Sequence, residues 1–160
     1  MAMKALLAQY AAILALCIFA VAFLADVATM RISNRLTGAL ALLYVVATPF
    51  SAYRWDQALA TAGVSFAVLA AGLLLFARGW VGGGDVKLAA GAVLWVGAEQ
   101  ALAYFVYTSL AGGALTLALI LFRKLPLGPA MTRTPWIARL HTPNGKVPYG
   151  VALASAAIFL

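Results

Sequence analysis

The sequence predicts an all-α integral membrane protein of about six transmembrane helices, and three observations carry that expectation. First, 66% of its 160 residues are hydrophobic and only 9% charged, whereas roughly a quarter of the residues of a soluble domain are charged. Second, the apolar residues gather in runs near the roughly 20 residues that a helix needs to cross a bilayer core. Third, the basic residues divide between alternate loops in the pattern that sets membrane orientation.

The runs fall at residues 5–25, 36–53, 57–77, 88–98, 101–122 and 147–160. Four have spanning length. The first follows Lys4 and exceeds the apolar core of a secretory signal, so it is expected to be an uncleaved first span. The run at 88–98 covers about 16 Å, so its helix must start within the bilayer or recruit residues 85–87. The last is short and spans only with bilayer thinning or help from neighbouring helices.

With the N-terminus outside, the inner loops receive Arg31, Arg35, Arg78, Lys87, Arg123, Lys124, Arg133, Arg139 and Lys146, and the outer side keeps Lys4 and Arg54. That asymmetry predicts an N-out, C-out chain in which Asp56 and Glu99 mark outer turns. The net charge of +7 is thereby explained by orientation. Scattered basic residues without a stacking aromatic platform do not describe a nucleic-acid partner. Cys17, alone in an apolar run, offers neither a disulfide nor a metal framework. No cofactor is expected.

Residues 123–147 form one basic, proline-broken loop, expected on the cytoplasmic surface of a single transmembrane domain spanning 1–160. Trp136, Ile137 and Leu140 suit a short amphipathic turn at the headgroups. His141 stands in this loop with no serine or cysteine arranged as a nucleophile beside it, and is expected to be solvated. Neither G-x-S-x-G nor H-E-x-x-H occurs, which removes serine and zinc peptidase patterns.

Two acids remain, Asp26 and Asp85, both at inner ends of spans. If the first helix continues past Asp26, that carboxylate lies about 7 Å deeper than Arg31. Carboxylates placed in a bilayer are costly and usually face a polar cavity. Asp85 alternatively caps a helix, and Asp26 alternatively pairs with Arg31, although five residues of helix separate them poorly for direct contact. Lys87 points to another helix face than Asp85. The stretch "VGGGDVKLAA" adds Gly82, Gly83 and Gly84 just before Asp85. They free the chain to adopt positive φ and to turn sharply, and they leave space for another backbone beside the carboxylate.

Gly82-Gly83-Gly84-Asp85 matches the G-x-G-D motif of intramembrane aspartyl proteases. The segment "DVATMRISN" resembles the first-aspartate segment of type IV prepilin peptidases, and "VPYGVALA" resembles their short Tad/Flp-pilus branch. The resemblance implies that Asp26 and Asp85 are a catalytic pair and Gly82 and Gly84 the motif glycines. Arg31, Asn34 and Lys87 are candidates for substrate contact or support. It also implies no metal, no cofactor, prepilin and pseudopilin substrates, a lipid environment in the inner membrane and contact with a pilus assembly machinery.

Larger members carry a cysteine-bearing insertion associated with N-methylation. This chain passes from Asp26 to its second span in about ten residues, so methylation is not expected. Ser33 replaces a proline common before Asn34, and Ala25 replaces the tyrosine of presenilin-like relatives. A function of another class stays open at this point: a small ion-coupled transporter using paired membrane acids, with the glycines breaking a helix. Against it, the outer halves of the spans hold mostly Ala, Leu, Val and Phe.

Overall fold

The computed structural model describes residues 2–51, 54–128, 131, 133–143 and 145–160. Seven α-helices cover most of them: α1 (Ala2–Thr29), α2 (Asn34–Ala47), α3 (Trp55–Ala77), α4 (Gly83–Val96), α5 (Ala101–Lys124), α6 (Pro135–His141) and α7 (Tyr149–Phe159). No strand occurs among the described residues.

Three helices are long and apolar enough to cross a membrane: Met3–Thr29, Trp55–Ala77 and Ala101–Lys124. Only 28%, 11% and 17% of their most apolar windows are buried inside the protein. The outward residues of α1 and α3, such as Leu6, Ile13, Leu59, Phe66 and Leu74, are large and exposed. Apolar surface on that scale calls for lipid rather than water around it. Cys17 lies on the exposed side of α1, as a lipid-facing residue would.

The second run, expected to span, is helical over less than its length and is not among these three. Its helix ends at Ala47, and Pro49 lies in a 3-10 turn over Thr48–Phe50. A proline supplies no N–H for the ladder and its ring clashes with the preceding turn, so 14 residues remain helical. The end of that run, residues 52–53, lies outside the described residues. Ser33, in the place of the common proline, caps α2 by accepting from the Arg35 N–H at 3.2 Å.

The 14-residue helix α4 is the centre of the bundle, with Val86 and Leu88–Val93 buried. It packs against α2, α3, α5 and α7, while α7 also packs on α1 and α5. Small residues make this close approach possible: Ala89, Ala90, Gly91 and Ala92 on α4 and Ala152, Ala154, Ala156 and Ala157 on α7 are all buried. Polar side chains tie helices together where water is absent. Ser65 of α3 donates to the Ala90 carbonyl at 2.8 Å, Trp95 Nε1 of α4 to the Leu40 carbonyl at 3.0 Å, and Tyr104 Oη of α5 to the Leu153 carbonyl at 3.3 Å.

Asp56 occupies the first turn of α3, ion-paired with Arg54, and Glu99 lies between α4 and α5. Asp26 lies near the C-terminal end of α1, and Asp85 lies in the first turn of α4, at the opposite end of that helix from Glu99.

Candidate active site

Helix α1 runs on through Thr29, so Asp26 stays within it, and its side chain is buried. The helix ends at Met30, which adopts φ 53°. That left-handed residue reverses the chain, as glycine commonly does after a helix, and brings Arg31 and Ile32 back toward Asp26. Asp26 makes no ion pair with Arg31: among the described residues the one ion pair is Arg54 with Asp56. Instead Asp26 Oδ2 accepts the backbone N–H of Val151 at 3.2 Å, and the Gly150 amide also faces the carboxyl group.

Asp85 is in the first turn of α4, three residues after the N-cap position, which Gly82 occupies. It is therefore not the capping residue. Its carboxyl group reaches back toward the Gly82 backbone N–H, the half of a capping box that an acidic third residue supplies. Asp85 is half-buried, and the charge of Asp26 acts on it through space. The carboxyl groups of α1 and α4 line the same cavity.

The three glycines do less turning than their sequence promises. Gly82 has φ −76°, and Gly83 and Gly84 already belong to α4. The left-handed glycine of this connection is Gly79, at φ 75°. The triplet acts by clearance. A methyl group on Gly82 would lie 2.6 Å from Asp85 Oδ2, one on Gly83 would lie 3.2 Å from the Phe76 ring, and one on Gly84 would lie 3.2 Å from Ile32 Cβ. The space is taken by the site's own parts.

Both aspartates line one cavity of about 1280 Å3. Small-molecule sites commonly measure roughly 300–1,000 Å3, so the volume suits a peptide segment. One side is apolar, from Val68, Ala71, Leu75 and Phe76 on α3, Phe105 on α5 and Leu153 on α7. Arg31 and Lys146 also line the cavity, as does the exposed Trp80. A tryptophan at each end of α3, Trp55 and Trp80, matches the usual placing of indoles at the two membrane interfaces.

The other candidate residues are placed differently. Lys87 donates from Nζ to Asn34 Oδ1 at 3.0 Å, tying α4 to the start of α2; neither residue lines the cavity. Of the three supporting candidates, Arg31 alone reaches it. Several residues at the site are not singled out by the sequence as site residues: Ile32, Phe76, Lys146 and Tyr149 on the cavity wall and, beside Asp26, Gly150 and Val151. Gly150 stands in the quoted segment "VPYGVALA", but its role depends on α7 lying against α1. His141 also departs from expectation. Its Nε2 lies 2.9 Å from the Leu125 carbonyl oxygen and its ring meets Phe122 edge-on, so it is docked rather than solvated.

Among the described residues no three His, Cys, Asp or Glu side chains cluster as metal ligands. Two carboxyl groups facing one cavity can hold and pass protons at a substrate between them. Comparison with known families decides what that pair belongs to. The type IV leader peptidase family matches residues 13–117, which contain both aspartates and all three glycines.

The chain belongs to the type IV leader peptidase family.

At that level it is a membrane-embedded peptidase, a hydrolase. The match ends within α5, so the α7 residues that hold Asp26 lie beyond the part by which the leader peptidase family is recognised. No curated protein and no solved structure matches the chain.

Proposed function

We propose that this leader peptidase is an aspartyl endopeptidase that removes the short basic leader from Flp-type prepilins at the cytoplasmic face of the bacterial inner membrane. The observation that carries the reading is that Asp26 and Asp85 open onto one peptide-sized cavity with no basic side chain paired to either. Asp26 and Asp85 are the catalytic residues, and the whole chain works as one transmembrane domain. α2, α4 and α7 complete six spans with α1, α3 and α5, with both termini outside. The short ones rely on their neighbours, because α4 and α7 are largely buried in protein.

The chemistry needs one proton on the pair. Two carboxylates in one low-dielectric site share a proton, so one acts as base and the other as acid. The base takes a proton from water as its oxygen bonds to the scissile carbonyl carbon, and the acid protonates the carbonyl oxygen. Collapse of the tetrahedral adduct breaks the C–N bond, and the pair returns a proton to the leaving amine. The apolar side of the cavity, formed by α3 and Phe105, suits the pilin's hydrophobic helix beside the cleavage point.

Co-expression with an Flp-type prepilin, with leader removal read by mass, tests the proposal. Cleavage by purified protein in detergent supports a peptidase. If no cleavage occurs in detergent while ion flux appears in sealed vesicles, the paired acids serve transport instead.

A further inference from the structure

Resting on that reading of the site, we propose that Arg123 is a positioning residue that sets the segment 145–151 against Asp26. Arg123 ends α5, where a basic residue is ordinarily explained by the helix dipole or by membrane orientation. Its guanidinium instead donates to backbone carbonyls through Nε and Nη2. Nε donates to the Leu140 carbonyl at 2.9 Å, and Nη2 donates to the carbonyls of Gly145 at 3.0 Å and Lys146 at 3.1 Å. One planar group thereby joins the end of α6 to the connector that leads into α7.

That connector is short and stiff. Lys146 and Val147 line the cavity, Pro148 precedes α7 with its φ fixed by the ring, and Tyr149 also lines the cavity. Three residues after Pro148, the Val151 N–H meets Asp26 Oδ2. A shift at the Lys146 carbonyl therefore moves cavity wall and carboxylate partner together.

Gly145 supplies a second, independent observation. A methyl group there would lie 2.9 Å from the Thr142 carbonyl oxygen and 3.3 Å from Arg123 Nη2. The clamp closes because no side chain intervenes. Lysine would replace the arginine only in part, since a single ammonium lacks the planar fork that reaches several acceptors at fixed angles.

The test uses the full chain in detergent micelles, with hydrogen exchange read by mass and steady-state cleavage of a purified Flp-type prepilin. Arg123→Ala is expected to speed amide exchange across 145–151 by roughly tenfold or more while α1 and α4 exchange as in the native protein. It should lower kcat by about 10- to 100-fold, with KM within about threefold, as misplacement of a site rather than loss of substrate contact does. Gly145→Ala should act in the same direction, and Arg123→Lys should fall between. Lys124→Ala removes a neighbouring exposed charge and should match the native protein, which separates the clamp from simple basicity.

Unchanged exchange over 145–151 in Arg123→Ala overturns the proposal, as does a Lys124→Ala loss equal to that of Arg123→Ala. If the native protein cleaves no prepilin while exchange still rises in Arg123→Ala, the clamp stands and the peptidase reading fails.

Discussion

The Val151 N–H donates to Asp26 Oδ2 at 3.2 Å, joining residues 125 positions apart. This contact orients a carboxyl group that has no ion-pair partner and lies on the wall of a cavity shared with Asp85. The bond holds Oδ2 against the start of α7.

The first prediction concerns that pair. Asp26→Asn and Asp85→Asn keep size and shape but remove the ability to exchange a proton. Each is expected to lower prepilin cleavage by at least about 100-fold, the range of general acid–base catalysis, with unchanged membrane insertion. A time course of leader removal by mass is the measurement, and near-native turnover by either variant would reject the dyad.

The second concerns glycine at the carboxylates. A methyl group on Gly150 would lie 2.8 Å from Asp26 Oδ2 and 2.6 Å from Ile32 Cδ1, and one on Gly82 would lie 2.6 Å from Asp85 Oδ2. Gly150→Ala and Gly82→Ala should each cost about tenfold or more in kcat by displacing the acid. Gly63→Ala, where a methyl group meets nothing within 4 Å, should be silent. Equal losses at all three positions would show that clearance is not the cause.

These residues also show what the sequence made legible. Asp26 and Asp85 stood out because so few acids occur in so apolar a chain, and the six apolar runs became α1 to α5 and α7. Pro49 shortened the second run. The glycine triplet reads as both a sharp turn and a clearance; the turn is at Gly79, and the clearance is taken up by Asp85, Phe76 and Ile32, which depends on tertiary packing. The docking of Arg123 and Arg139 is hidden for a similar reason. Arg123 and Arg139 spend their guanidinium groups on backbone carbonyls, Arg139 on Ala28 at 2.6 Å. Since every residue has a carbonyl, such bonds leave no pattern in the sequence.

The third prediction follows from the link between α1 and α2. Helix α1 ends at Thr29 and α2 starts at Asn34, so only residues 30–33 join them and no further domain is inserted beside Asp26. Pilin matured by this enzyme alone, in the presence of a methyl donor, should keep an unmethylated N-terminus. A mass gain of one methyl group in the purified reaction would contradict this.

The fourth concerns metals. The cavity presents two carboxyl groups and no imidazole or thiol, and a catalytic zinc ordinarily takes three protein ligands. Cleavage should be insensitive to chelators. Loss of activity on chelation, restored by added metal, would point to metal-assisted hydrolysis.

The last prediction concerns the wall of the cavity. Helix α3 rests chiefly on α4, and at their contact a methyl group on Gly72 would lie 2.5 Å from Val86 Cγ1. Val86 is buried and β-branched, with little rotamer freedom in a helix, so it cannot turn away. Between lipid-embedded helices the attraction is mainly van der Waals packing, which small residues permit. Gly72→Ala should therefore destabilise the protein by about 1–3 kcal/mol through overpacking. Val86→Ala alone should cost about 0.8 kcal/mol for each buried carbon group lost. Together the changes should cost less than their sum, because the second makes room for the first, with a coupling in the range of about 0.5–3 kcal/mol. Unfolding of the purified variants in mixed micelles measures all four corners of the cycle. Strict additivity would mean that α3 does not rest on α4 at this point, and the α3 wall of the cavity would have to be placed elsewhere.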